Sequence, residues 1–273
     1  MDKQSVVLDI EYAKAGPVSL LLDVYSRDIS PEADAARAAI VLVHGGGWFR
    51  GDKSKEVTVA TMLVDAGYIV FAPNYREAPQ ATFPASRDDV LAAARWALAS
   101  EWVFDRSKLA FFGGSAGGNL VVEASIATGR PAVSWSGMFD LLAIVEQTDD
   151  LPATPTSQDL NAMKSADINQ TGRNDPFLRW TILNEVGNDR SLLAEASTAR
   201  HASPQGGPVY LANSLAEFVP VSDAQAMQSA LADVGIASTL QLIPGTHHAE
   251  GYTEAAIGPS LAFLESVFSG DRS

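Results

Sequence analysis

Ser115 lies in Phe111-Phe112-Gly113-Gly114-Ser115-Ala116-Gly117-Gly118-Asn119, a Gly-x-Ser-x-Gly stretch with Gly114 and Ala116 in the variable places. A serine hydroxyl becomes a nucleophile when a base takes its proton and nearby donors hold the oxyanion that its attack creates. The chain has four histidines, His44, His201, His247 and His248. His247 and His248 follow an apolar run ending at Ile243, after Pro244-Gly245-Thr246. A loop just past a C-terminal strand is where a parallel sheet presents its site, so one of these two is the expected base. His44 opens His44-Gly45-Gly46-Gly47-Trp48 directly after another apolar run. Three successive glycines let backbone N–H groups approach a substrate without Cβ obstruction, which suits an oxyanion hole. The chemistry these residues suggest is acyl transfer to a serine. The alternative for the serine turn alone is a tightly packed or phosphate-binding loop.

These groups must be held by a strand–turn–helix frame. Leu109 to Phe112 reads as a buried strand, and Leu120, Val121 and Ala124 form one face of a helix that ends at Gly129. A strand that turns sharply into a helix at a serine needs small neighbours. It also sets the hydroxyl at a helix N-terminus, where negative charge is favoured. Further strands are expected at Val6 to Ile10, Val18 to Tyr25, Ile40 to Val43, Ile69 to Ala72, Pro131 to Trp135, Val209 to Ala212 and Ser238 to Ile243. Helices are expected after Ser54, from Pro84, after Ser222 and over Ala255 to Phe268, with Ser54 and Ser222 as caps. The alternation implies a mostly parallel sheet with right-handed crossovers. From about Ile144 to Gly207 the rhythm breaks at Pro152, Pro155, Pro176 and Pro204, with a helical stretch at Phe177 to Val186. This segment reads as a lid inserted over one end of the sheet.

Bulk properties fit this reading. The 273 residues suit one large α/β domain, and 47% apolar residues provide for a substantial core. With 19 Lys and Arg against 33 Asp and Glu, the net charge is −14, which repels nucleic acid and anionic membranes alike. There is no cysteine, so disulfides, zinc–thiolate sites and a cysteine nucleophile are excluded. Met1-Asp2-Lys3-Gln4 opens polar, with no long apolar core behind it and no apolar run near the ~18 residues that span a bilayer. A cytoplasmic location is expected. The oligomeric state is open, a homodimer included.

Taken in order, His44-Gly45-Gly46-Gly47-Trp48, Gly51-Asp52-Lys53, Asn74-Tyr75-Arg76 and Gly113 to Gly118 resemble the α/β-hydrolase family, and within it the HGGGW-bearing carboxylesterases, close to hormone-sensitive-lipase-like esterases and arylformamidases. The resemblance covers roughly Ile40 to Tyr252. It implies an α/β-hydrolase fold over 1–273, with a mostly parallel sheet flanked by helices and a lid insertion at about 144–207, after the sixth strand. It implies that Ser115 is the nucleophile, that the N–H groups of Gly46, Gly47 and Ala116 form the oxyanion hole, and that His248 rather than His247 is the base. The family's acid is usually Asp shortly before Val-Pro. Here Ala216 falls at that place and Glu217 beside it, followed by Phe218-Val219-Pro220. Glu serves as a triad acid in this fold, so Glu217 is the expected acid. Asp223 is the poorer choice, since an acid in a helix's first turn ordinarily complements the dipole. Trp48 and Phe49, with Phe83, Phe177 and Trp180, are candidates to line an apolar pocket. The expected activity is ester hydrolysis by a serine hydrolase on a small-molecule substrate, needing neither cofactor nor metal. The alternatives are an arylformamidase and a catalytically impaired fold used for binding.

Overall fold

The computed structural model describes residues 4–27, 36–157, 160 and 170–270. Most of the connection expected between Ser30 and Ala39, and 158–159 and 161–169 of the inserted segment, lie outside the described residues. The eight expected strands form one sheet: β1 (Gln4–Ala15), β2 (Val18–Arg27), β3 (Ala39–Val43), β4 (Ile69–Pro73), β5 (Leu109–Gly114), β6 (Ala132–Trp135), β7 (Val209–Ser214) and β8 (Ser238–Ile243). Their order is β1-β2-β4-β3-β5-β6-β7-β8. β1 and β2 are antiparallel, β2 runs antiparallel to β4, and every pair from β4 to β8 is parallel. The sheet is therefore mostly parallel and flanked by helices.

The continuous apolar runs explain the central strands. Every residue of β3, β4, β5, β6 and β7 is buried, as a sheet covered on both faces requires. Alternate residues face opposite layers. Val41, Val43, Leu109 and Phe111 join Val90 and Ala94 of α2 (Ala85–Ala99) and Leu120 and Val121 of α3 (Ala116–Thr128). Ile40, Leu42, Ala110 and Phe112 join Val59 and Leu63 of α1 (Val57–Asp65) and Ala256 and Leu264 of the C-terminal helix Thr253–Ser269. β4 continues the chain on one side of β3, and β5 then returns to the other. Reversal of this kind opens a crevice at the C-terminal strand ends, where ligands bind in such sheets.

The two caps read from sequence differ in the structure. Asp52, not Ser54, caps the turn before α1 by accepting from Ser54 N at 2.9 Å. Its longer side chain spans the two residues needed. Ser222 is not a cap either, because the helix Val221–Asp233 begins one residue earlier, after Pro220. Helix α3 is buried almost all round from Ala116 to Ser125, beyond the single face expected. It lies against the sheet on one side and under the inserted segment on the other. That segment forms α4 (Leu141–Gln147) and α5 (Asp175–Glu185) and contributes Phe177, Leu178 and Ile182 to the core layer shared with α2 and α3. Burying each such side chain contributes about 1.5–3 kcal/mol, so α5 is firmly anchored. The helices Val221–Asp233 and Thr253–Ser269 are numbered α6 and α7.

Candidate active site

Ser115 joins β5 to α3 in a left-handed conformation, φ 57 and ψ −125. Such backbone costs a non-glycine residue about 1–3 kcal/mol and persists only where its surroundings enforce it. Here Ser115 N donates to Trp135 O at 2.8 Å, and Asn119 N donates to Ser115 O at 3.1 Å. The crowding around the turn explains its small residues. A Cβ on Gly117 would lie 2.2 Å from Val43 O.

The glycine loop after β3 is held from below. His44 is buried and its ring stacks on Tyr75, centroids 4.2 Å apart. Its Nδ1 lies 2.8 Å from Gly45 O, and a carbonyl only accepts, so Nδ1 carries the proton. Burial pushes the imidazole down to about 4, so it stays neutral and braces the loop. Tyr75 OH donates to His44 O at 3.1 Å. The two flanking motifs complete the support. Asn74 Oδ1 accepts from Lys53 N at 2.6 Å, and Asn74 Nδ2 donates to Asp52 Oδ2 at 2.9 Å. Lys53, itself buried, forms ion pairs with buried Asp23 and exposed Asp9, both at 2.8 Å. Gly45 N–H is taken by the buried carboxyl of Glu56. Gly46 adopts φ +122, and a Cβ there would sit 1.8 Å from Arg50 O. Neither Gly46 nor Gly47 donates any of the backbone hydrogen bonds that tie the described loops. Ala116 is the first residue of α3, where a helix leaves N–H groups without intrahelical partners.

The two histidines after β8 part company. His247 is exposed, whereas His248 is fully buried. The side chains just beyond His248 lie against the serine turn: a Cβ on Gly114 would meet Glu250 Oε1 at 2.5 Å and Ala249 Cβ at 3.2 Å. His248 Nδ1 hydrogen-bonds Glu217 Oε2, while its Nε2 is buried without a hydrogen-bond partner among the described residues. Catalytic hydrogen bonds are often loose before substrate binds. Glu217 is 1% exposed, and its other oxygen accepts from Ser214 N and Ser136 Oγ, both at 2.8 Å. Its register follows from β7. Leu215 N and Ala216 N extend the pairing to Ile243 O and Gly245 O, after which Phe218 and Val219 turn into the core. Asp223 lies elsewhere, accepting from Phe139 N and Asp140 N at 2.7 and 2.8 Å. It ties the end of β6 to α6 instead of complementing a free helix end.

Sequence reasoning missed several residues around this centre. Ser136 and Tyr252 belong to the Glu217 hydrogen-bond network. The one available signal for Ser136 was its place directly after β6, at the same sheet end as the other loops. Gln170 comes from the irregular inserted segment and carried no signal at all. Its side-chain oxygen accepts from His248 N at 2.8 Å, and its carbonyl accepts from Thr246 Oγ1 at 2.6 Å. Among the described residues, no group of three or more His, Asp or Glu side chains is placed to hold a metal ion.

Helix α5 packs along the loop and the base. Phe177 meets Phe218 at 6.1 Å, and Phe218 lies 4.3 Å from the His248 ring. One turn on, Thr181 Cγ2 would sit 2.5 Å from a Cβ on Gly47. Of the aromatic candidates, Trp48, Phe83 and Phe177 are buried in the core, whereas Phe49 and Trp180 are half-buried, packed edge to face at 4.8 Å. One turn beyond Thr181, Glu185 is buried and accepts from Ser86 Oγ at 2.9 Å. Burial raises its carboxyl from 4.5 to about 8. Between those values the unfolded chain ionises Glu185 while the folded chain keeps its proton, so stability falls as pH rises through that window. Glu185→Gln should therefore gain in melting temperature over the wild type as pH is raised from 5 to 9. A difference that stays constant across that range would sink this account.

Comparison with known proteins agrees with the fold. The chain belongs to the alpha/beta hydrolase fold family, whose pattern matches residues 40–250. Within that class it is similar to carboxylesterase NlhH of Mycobacterium tuberculosis, 31% identical over 226 residues, covering 80% of this chain and 67% of that protein. Versiconal hemiacetal acetate esterase of Dothistroma septosporum is 26% identical over 239 residues, 83% of this chain and 70% of that protein. Esterase LipQ of Mycobacterium tuberculosis is 26% identical over 270 residues, but the match spans 96% of this chain and only 61% of LipQ. Among solved structures, an esterase of the bacterial hormone-sensitive lipase family superposes with TM-score 0.72 at 21% identity, covering 97% of this chain and 84% of that one. The family resemblance drawn from the glycine motifs is upheld. No helix among the described residues is long and apolar enough to cross a membrane.

Proposed function

We propose that this chain is a serine hydrolase that cleaves carboxylic esters of small or medium substrates through an acyl-enzyme. The reading is carried by a strained serine at the head of α3 and, on the loop whose Ala249 lies close to the Gly114 turn, a buried histidine whose Nδ1 is bonded to a buried carboxylate. His248 Nε2 takes the Ser115 proton as Oγ attacks the ester carbonyl. The N–H groups of Gly46, Gly47 and Ala116 hold the oxyanion. Collapse of the tetrahedral intermediate expels the alcohol, which receives the proton from His248. Water, deprotonated by the same nitrogen, then releases the acid and restores the serine. Glu217 fixes the imidazole tautomer and stabilises the imidazolium. Phe49 is the aromatic best placed to meet substrate, because it flanks the glycine loop and keeps part of its surface exposed.

The names of two relatives refer to acetate esters, versiconal hemiacetal acetate esterase and the ethyl acetate hydrolase of Pseudomonas putida. We therefore take p-nitrophenyl acetate as the first substrate to test, beside N-formylkynurenine and a fluorophosphonate probe. Turnover of the acetate and stoichiometric labelling of Ser115 are expected. Faster cleavage of N-formylkynurenine would move the assignment to amide hydrolysis by the same machinery. Absence of both labelling and turnover would leave a binding role and overturn the proposal.

A further inference from the structure

Ser136 follows β6 directly and is fully buried, with φ 51, a left-handed conformation that serine seldom adopts. Its N–H donates to Ala212 O at 2.8 Å, which ties it to β7. Its hydroxyl meets three partners. Oγ donates to Glu217 Oε1 at 2.8 Å, accepts from Ala249 N at 3.0 Å, and lies 2.7 Å from Tyr252 OH. The hydroxyl has one proton, and a carboxylate can only accept, so that proton belongs to Glu217. The serine oxygen is then an acceptor for both other groups. Tyr252 OH also reaches Ala212 O at 2.9 Å, so its proton is shared between two acceptors. Burial first, and then the charge of Glu217, push the Tyr252 phenol well above its usual value, so it remains a donor.

We propose that Ser136 is a positioning residue that locks the acid loop and the base loop in register, so that Glu217, one residue beyond the family's acid position, serves His248. The inference rests on the triad reading above. One hydroxyl bonds the acid itself and the peptide N–H immediately after the base, two points carried by different strands. It also fills one oxygen of Glu217, together with Ser214 N, and leaves the other for the imidazole. A glutamate side chain has one more rotatable bond than aspartate, so it needs this second anchor more. The left-handed backbone aims the hydroxyl across β7 towards Glu217.

The test compares Ser136→Gly, which suits the backbone, with Ser136→Ala, which keeps its strain. Each is also combined with Glu217→Ala. A hydrogen bond to a charged group is worth on the order of 10- to 100-fold, and both single variants should lose about that much kcat on p-nitrophenyl acetate with KM within about two-fold. Because much of the effect of Ser136 runs through Glu217, adding Ser136→Gly to Glu217→Ala should cost clearly less than Ser136→Gly costs alone. Tyr252→Phe, which keeps the ring packed on Trp135, should lose about two- to ten-fold and provides a readout should the Ser136 variants fold poorly. Losses that multiply with Glu217→Ala would overturn this inference alone. So would wild-type kcat in the serine variants, or in Tyr252→Phe if those do not fold. Wild-type kcat in Glu217→Ala itself would remove the acid from the triad and this inference with it.

Discussion

Ser115→Ala should fold as the wild type does and lose ester turnover by on the order of 10³-fold or more, the scale seen when a triad nucleophile is removed. The fold should survive because the peptide bonds that hold the turn, Ser115 N to Trp135 O and Asn119 N to Ser115 O, are untouched by the substitution. Alanine also inherits the same left-handed backbone and, with it, roughly the same strain. What disappears is the one atom that can form the acyl bond. The backbone donors after β3 and at the head of α3 remain, so a small residual rate over water is compatible with the mechanism. Kinetics with p-nitrophenyl acetate and thermal melting check both halves. A variant retaining a tenth of wild-type turnover would place the nucleophile elsewhere.

Replacing His248 should be as severe, whereas replacing its neighbour should do little. His248→Ala removes the base and leaves Glu217 buried beside a void. Leaving a buried carboxylate without its hydrogen-bond partner can cost about 1–3 kcal/mol or more, so lost activity alone would be ambiguous. His248→Gln resolves this, since its amide can still donate to Glu217 while having no basic nitrogen. It should fold and still lose on the order of 10³-fold in kcat. His247→Ala should stay within about two-fold, because the side chain is exposed and only its carbonyl is engaged, accepting from Ser214 Oγ at 2.6 Å. The reverse outcome, with His247 essential and His248 dispensable, would mean that the loop binds substrate in another register.

Much of this arrangement is legible in the residues themselves. β3 to β7 announce themselves because strands buried on both faces read as largely apolar runs, and Gly129 marks the end of α3 because glycine takes φ 72 without strain there. The Gly-x-Ser-x-Gly turn and the glycine loop are legible for a similar reason, since crowded backbone excludes side chains. The features set by long-range contacts are not. Asp52 caps a turn by reaching over Ser54, and Asp223 serves two N–H groups brought by a distant loop. Gln170 holds the His248 peptide from a segment with no periodicity. Ser136 had a position but no pattern, because one hydroxyl bonding three strands' loops leaves no trace along the chain.

The strand order has a bearing on how the molecule comes into being. Each neighbouring pair from β4 to β8 is parallel and must be closed by a crossover, so its contacts are distant along the chain and slow to form. Ser115 and the glycine loop follow β5 and β3 at the centre, while Glu217 and His248 follow β7 and β8 at one edge. During synthesis the centre emerges first, and a nascent chain can cover Phe111 with α2 and α3 before the last two strands exist. Such a chain presents the serine with no proton acceptor beside it. On the proposed mechanism, competence arrives only with the docking of the edge, and the topology itself keeps the half-made molecule from premature chemistry.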